Sequence, residues 1–305
     1  MAGNASTDDL LRHAVRRLAM GHHLSAAESA GAFDVVMSGG ATAAQVAALL
    51  MGLRVKGETP SEVAGAARAL RRAMITLDAD RPTMLVDTCG TGGGAVPTFN
   101  ISTAAAIVAA ACGVRIAKHG NRSFTSRSGS ADLLEALGVQ IDLTPAHMAS
   151  ILREVGLVFM FAPLMHPAMR HVGPVRRELA IPTVMNMIGP LANPAAAGRQ
   201  VIGVADRGRL ELIAGALHEL GTERALVVHA RSSPTLPDPN QPPLSVHASI
   251  VQPRCPDATP PMAEKCLCVC RSGVQRDLGR WASDYPGAEG FWCILLLFQH
   301  GLYFQ

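Results

Sequence analysis

Aromatic side chains are scarce in this chain, at 4% of 305 residues, while 49% of the residues are apolar and many of those are alanine. That balance favours tightly packed helices over an all-β fold. Long hydrophobic runs are also missing, since residues 293–298 form the longest late one and fall far short of a bilayer span. The opening segment, MAGNASTDDLLRHAVRRL, is polar and amphipathic and reads as having no secretory leader. An excess of one charge is lacking: the net charge of +3 is too small to argue for nucleic acid or an acidic membrane. A local basic site is the more economical reading. The seven cysteines are odd in number and show no framework spacing, which suits a reducing cytoplasm. Cys266, Cys268 and Cys270 have no histidine or second cysteine pair at zinc-like spacing, and Cys89 and Cys112 read as small buried residues.

Against these absences stands one dense stretch, residues 85–138: LVDTCGTGGGAVPTFNISTAAAIVAAACGVRIAKHGNRSFTSRSGSADLLEALG. It reads as strand, glycine loop, helix, strand, polar loop, helix. Gly90, Gly92, Gly93 and Gly94 remove the Cβ atoms that keep a backbone away from a phosphate. Ser102 or Thr103 can cap the Ala-rich helix that follows, and Gly113 ends it. Residues 114–117 predict a second strand, with Lys118, His119, Gly120, Asn121 and Arg122 emerging at its end. In an open α/β sheet, ligands bind at the carboxyl ends of strands. Two such loops therefore face one pocket, one offering bare N–H groups and the other positive charge. That pairing suits an anion carrying several phosphates.

Three regions follow from the rest of the chain. Residues 1–78 predict an α-helical domain of about four short helices, with start signals at Ser25/Glu28, Thr42/Gln45 and Thr59-Pro60 followed by Glu62. Whether these helices pack on the larger domain or on a second subunit stays open. Residues 79–229 alternate strands and helices, which predicts an α/β domain with a mostly parallel central sheet. Residues 230–305 form an atypical C-terminal segment: nine prolines fall between Pro234 and Pro261, too many for regular structure, and five of the seven cysteines lie beyond His229. The abrupt change suggests a shifted reading frame or other alteration of an ancestral ending, and the final LYFQ resembles a protease-site remnant.

With DTCGTGGG, FNIST, KHGNRSFTSRSGSADLLEALG, FAPLMHPAMRHVGPVRREL and NMIGPLANP in order, the chain resembles the anthranilate phosphoribosyltransferase family of tryptophan biosynthesis over roughly residues 8–229. The resemblance implies a small helical domain hinged to a large α/β domain, as a cytoplasmic homodimer with no membrane or nucleic-acid partner. It implies transfer of the phosphoribosyl group from phosphoribosyl pyrophosphate (PRPP) to anthranilate, with Mg²⁺, releasing pyrophosphate. Such chemistry needs positioning and stabilisation of a departing charge, without an enzyme nucleophile. By the same resemblance Gly90, Thr91, Gly92, Gly93, Gly94, Thr98, Asn100, Ser102 and Thr103 would line the PRPP site, with Ser102 also on Mg²⁺. Lys118, His119, Gly120, Asn121, Arg122 and Ser126 would wrap the phosphates, and Ser130 would add a hydroxyl. Gly90, Asn121 and Arg176 would hold anthranilate, with His166 and Pro190 along the same channel. Spacing alone does not separate Arg176 from Arg177; the motif selects Arg176, whose guanidinium suits a carboxylate.

Two positions depart from the family pattern. Gly94 stands where the family has Asp, and after VVH the chain reads ARSSP where the family continues to an Asp-Glu pair that binds Mg²⁺. Asp238, the nearest carboxylate, sits between prolines and does not match. Lowered transferase activity follows as an expectation. The rival readings are a pyrimidine-nucleoside phosphorylase and a non-catalytic homologue that binds nucleic acid or another anion.

Overall fold

Local capping chemistry sets the first four helices. In the computed structural model, which describes residues 7–93, 99–123, 128–230, 246–251 and 268–270, α1 (Thr7–Ala19) is followed by α2 (Ala26–Met37), α3 (Ala43–Lys56) and α4 (Pro60–Ala73). Ser25, Thr42 and Thr59 each accept from the N–H three residues on, and Glu28, Gln45 and Glu62 reach back to the cap backbone. These reciprocal bonds satisfy donors that a helix start leaves bare. Gly94, Thr98 and Ser126 lie outside the described residues, as do Asp238, Cys266 and the final four residues.

The α/β part alternates as β1 (Val86–Gly90), α5 (Ile101–Ala111), β2 (Ile116–Gly120), α6 (Ser130–Ala136), α7 (Pro145–Val155) and β3 (Leu157–Phe161). Two single-turn helices, α8 (Ala162–Met165) and, after α9 (Gly173–Leu179), α10 (Met185–Ile188), lead to β4 (Arg199–Gly203). Then come α11 (Leu210–Glu219) and β5 (Arg224–Ala230), with β6 (Val246–Val251) and β7 (Cys268–Cys270) beyond them. The sheet order is β3-β2-β1-β4-β5-β6-β7. Its first five strands are parallel and the last two antiparallel.

Three differences from the sequence reading have local causes. The second strand runs from Ile116 through Gly120, so Lys118 and His119 are strand residues paired with β3 and not loop residues beyond it. The N-cap of α5 is Asn100, which places Ser102 and Thr103 inside the first turn. Cys112 is exposed, because it is the C-cap of α5, whereas Cys89 is buried in β1. The atypical segment also contributes regular structure: β6 and β7 extend the sheet by backbone pairing, using residues that the prolines flank and do not interrupt.

The helical part packs on the sheet through α4, which lies against α11 and α10, while α3 meets α9. One apolar cluster joins Phe33, Leu49, Leu50, Leu53, Val63 and Leu70 to Ile213, Leu217, Ile202 and Val227. Each such side chain, when fully buried, contributes about 1.5–3 kcal/mol. Gly215 makes this contact close, since a Cβ there would stand 2.9 Å from Pro60, and within the helical part Gly65 lets α4 approach α2, since a Cβ there would stand 2.5 Å from the Ala26 carbonyl. The opposite face of the sheet carries Val86, Ile116 and Val201 against Ala105, Ala106 and Ala109 of α5. Strand alternation thereby sends Thr88 and Lys118 toward α5, and Asp87 and His119 toward the other layer.

Candidate active site

At the carboxyl end of β1 the chain passes between two glycines in register, Gly90 on β1 and Gly203 on β4. Thr91 N–H donates to the Gly203 carbonyl at 2.9 Å, and the Thr91 hydroxyl accepts from Ala205 N–H at 3.3 Å. Gly92 and Gly93 follow with φ of +68° and +77°, a left-handed pair that residues with a Cβ rarely adopt. Among the described residues, no atom comes within 4 Å of where a Cβ would stand on either glycine, so the backbone of this turn is bare.

Lys118 reaches the same end of the sheet from β2. Its ammonium donates to the Thr88 carbonyl at 2.5 Å and to the Ser102 hydroxyl at 3.2 Å, and the Thr88 hydroxyl donates to the Ser102 carbonyl at 2.8 Å. Lys118 is 3% exposed. Burial lowers its pKa, and the charge of Asp87 opposes that shift. For Asp87 burial raises the pKa and the Lys118 charge opposes it. The cation thus stands at the first turn of α5 and near the last residues of β1, a setting that suits an anion.

The second loop is tied to the first by Asn100, whose side-chain amide donates to Ser128 Oγ at 3.3 Å and to the Gly129 carbonyl at 3.2 Å. Gly120 and Gly129 are required by crowding. A Cβ on Gly120 would lie 2.3 Å from Ser130 Oγ, and one on Gly129 would lie 2.4 Å from Ser123 N. The Ser130 hydroxyl donates to the Asn121 carbonyl at 3.3 Å, and Asn121 Oδ1 accepts from Arg122 N–H at 2.7 Å. Asp132 receives Gly129 N–H at 2.7 Å and Ser123 N–H at 3.2 Å, which holds its carboxyl below the usual range.

Arg122 sits differently from a free phosphate-binding arginine. Its guanidinium bonds Asp132 and Glu135 and lies 5.5 Å from the centre of the Phe161 ring. Two carboxylates on α6 therefore already neutralise it. His119 is also turned away from the loop: its Nε2 meets His166 Nε2 at 3.1 Å, with the ring centroids 4.9 Å apart. Burial lowers the pKa of His119 to about 3 and that of His166 to about 4. Both rings are neutral at ordinary pH, and one must donate while the other accepts.

Arg176 and Arg177 separate cleanly in the structure. Arg177 is exposed, whereas Arg176 is half-buried, has its pKa lowered by desolvation, and makes no ion pair or side-chain hydrogen bond among the described residues. An unpaired, partly dehydrated guanidinium is a ready partner for a carboxylate. Pro190 is buried, and its carbonyl accepts from Gln200 Nε2 at 2.8 Å. Thr103 is 1% exposed and packs within α5.

Sequence reasoning passed over Asp87, Thr88 and Asn193. Asn193 Nδ2 donates to Asp87 Oδ2 at 2.8 Å and to the Ala117 carbonyl at 2.9 Å. A carboxylate inside an otherwise apolar strand, LVDTC, was the available signal. Among the described residues no group of three or more His, Cys, Asp or Glu side chains is placed to hold a metal ion. No helix among them is long and apolar enough to cross a membrane.

Fold and residues together define a doubly wound α/β protein with a helical bundle docked on one face and a glycine turn and a buried lysine toward the carboxyl ends of β1 and β2. Comparison with known proteins gives that class a family. Residues 82–235 match the glycosyl transferase family, a/b domain, and residues 12–74 match the glycosyl transferase family, helical bundle domain. The chain belongs to this glycosyl transferase family. Similar proteins include the anthranilate phosphoribosyltransferase of Roseiflexus sp. (strain RS-1), 54% identical over 219 residues, covering 72% of this chain and 64% of the relative. That of Rubrobacter xylanophilus is also 54% identical, over 73% of this chain and 64% of its own length. The chain thus spans just under two thirds of the length of these relatives. Among solved structures, anthranilate phosphoribosyltransferase from Thermus thermophilus superposes with a TM-score of 0.69 at 44% identity, over 78% of this chain and 70% of that one. The Saccharomyces cerevisiae enzyme in complex with PRPP and Mg gives 0.68 at 28% identity, over 79% of this chain and 69% of that one.

Proposed function

We propose that this chain binds PRPP and anthranilate and transfers the phosphoribosyl group to the anthranilate nitrogen, releasing pyrophosphate, in tryptophan biosynthesis. The observation that carries the reading is the placement of the Lys118 ammonium between the last residues of β1 and the first turn of α5. In this reading the Gly90–Gly93 turn presents N–H groups to the phosphates, with Asn100, Ser102 and Lys118 beside them. Arg176 takes the anthranilate carboxylate, and Asn121, His166 and Pro190 lie along the approach. Leaving-group departure builds negative charge on pyrophosphate, and fixed donors that need no reorganisation stabilise it.

In this reading Mg²⁺ would be carried largely by phosphate oxygens; Ser102 Oγ is the protein oxygen that would reach it, and in the structure that oxygen accepts from the Lys118 ammonium. When bound the ion would neutralise charge on the departing pyrophosphate. The same reading includes a cytoplasmic homodimer, for which exposed Leu10, Met20 and Val55 of the helical part offer apolar surface. The test is calorimetric titration of the chain with PRPP and Mg²⁺, then anthranilate, followed by a turnover assay. Binding of both ligands supports the reading. Phosphorolysis of a pyrimidine nucleoside in place of anthranilate turnover overturns it.

A further inference from the structure

Parallel neighbours in a sheet normally share evenly spaced N–H to carbonyl bonds along their length. β2 and β3 keep register through five residues, as do β1 and β4. β1 and β2 do so only at Val86 with Ile116. Past that point no further pair of the two strands is in register, and this break in the ladder, a splay of the pairing, lies toward the end of the sheet where the candidate site is.

Side chains replace the lost ladder. Asp87 Oδ1 accepts from the His119 backbone N–H at 3.1 Å, while Asn193 Nδ2 donates to the Ala117 carbonyl at 2.9 Å and to Asp87 Oδ2 at 2.8 Å. From the other face, Lys118 donates to the Thr88 carbonyl. These bonds satisfy backbone groups that the splay leaves without a strand partner. Asp87 is 0% exposed, and a carboxylate held there at such desolvation cost calls for a reason beyond filling space. Its two oxygens supply two acceptors at fixed positions, which an amide of the same shape does not. Asn193 is pinned in turn, its own Oδ1 accepting from Ala195 N–H at 2.9 Å.

We propose that Asp87, locked by Asn193, is a positioning residue: it holds β2 splayed from β1 so that Lys118 meets Ser102 at the phosphate end of the site. Asp87 touches no substrate and acts through the strand that carries Lys118. The proposal rests on the PRPP reading above, and its test separates the two.

The full chain, Asp87→Asn, and the exchanged pair Asp87→Asn with Asn193→Asp are titrated with PRPP plus Mg²⁺ and, at saturating PRPP, with anthranilate. Melting temperatures are recorded alongside. In Asp87→Asn an amide N–H₂ must face either the His119 N–H or the Asn193 amide, a clash of donors. PRPP affinity should fall by about tenfold or more, while anthranilate affinity stays within about twofold, since Arg176 stands apart from this network. The exchanged pair restores one carboxylate facing one amide but gives up the donation from Asn193 to the Ala117 carbonyl, so it should regain only part of the PRPP affinity lost in Asp87→Asn. If Asp87→Asn does not fold, Asn193→Ala, which removes the lock on Asp87 and leaves the carboxylate in place, makes the comparison by itself: a loss of PRPP affinity with anthranilate affinity unchanged supports the proposal, and PRPP affinity equal to wild type overturns it. Equal PRPP affinity in wild type and Asp87→Asn overturns the positioning role alone. So does a parallel loss of both ligands, which marks structural support only. Absence of PRPP binding by the wild-type chain overturns the substrate reading, and the positioning role with it.

Discussion

The ammonium of Lys118 lies 3.2 Å from the hydroxyl of Ser102, although the two residues belong to different elements sixteen positions apart. This contact joins strand β2 to the first turn of α5 and holds a buried cation against Thr88, near the last residues of β1. Removing the cation should therefore be felt first by a polyphosphate. In Lys118→Ala, PRPP affinity is expected to fall roughly 10- to 100-fold, the range for losing a hydrogen bond from a charged group. Anthranilate affinity, measured calorimetrically with PRPP saturating, should change little; equal losses for both ligands would count against the assignment.

Arg176 and Arg177 provide an internal control. Only Arg176 is partly dehydrated and without a partner among the described residues. Arg176→Ala should weaken anthranilate binding by about tenfold or more, and Arg176→Lys should not recover it, because an ammonium cannot make the bidentate contact. Arg177→Ala should bind like wild type. A larger effect at Arg177 would show that the motif selects the wrong member of the pair.

The His119–His166 contact makes the fold acid-sensitive. Both imidazoles are neutral when folded, with pKa values of about 3 and about 4, against about 6.5 when unfolded. The unfolded chain therefore binds more protons, so stability falls as pH drops below about 6.5, by up to about 1.4 kcal/mol per pH unit for each ring. Urea midpoints between pH 6.5 and 5, above the range of ordinary carboxylates, should show this slope. His166→Phe should flatten it by about half. A flat wild-type profile would mean that the pair is charged or open in solution.

Glu62 carries a further test, in the helical part. Its buried carboxylate receives Leu24 N–H at 2.8 Å, Thr59 N–H at 2.9 Å and the Lys56 ammonium at 2.9 Å. The side chains of Lys56 and Glu62 are 5% and 0% exposed. Glu62→Ala leaves the Lys56 ammonium without its counter-charge, holding only the Gly57 carbonyl and His23 Nδ1, and leaves two backbone donors unanswered, and should cost about 3–5 kcal/mol in urea unfolding. A cost under about 1 kcal/mol would mean that water reaches the cluster.

Much of the architecture was legible in local chemistry. The capping residues Ser25, Thr42 and Thr59, the stop at Gly156 and the strand Leu157–Phe161 all rest on interactions within a few positions, and the structure places them where those signals fall. Strand β2 was misplaced because Lys118 and His119 look like loop residues by polarity. Their partners, Thr88 and Ser102 for Lys118 and Asp87 and His166 for His119, come from distant elements. Likewise Asn100 holds the N-cap position of α5 without a side-chain cap bond, its amide reaching Ser128 and Gly129, while the Ser102 hydroxyl accepts from Lys118.

By itself the sequence determined the helical bundle, the alternating α/β order, the two glycine-bearing turns and the family pattern, because each is written in neighbouring residues or in ordered motifs. Only the tertiary structure decided that Arg122 is neutralised by α6, that His119 faces away from its own loop, and that β1 and β2 part company above Val86. The reason is burial. Which face of a strand goes dry, and which charges must then find one another there, depends on packing between segments far apart in the chain.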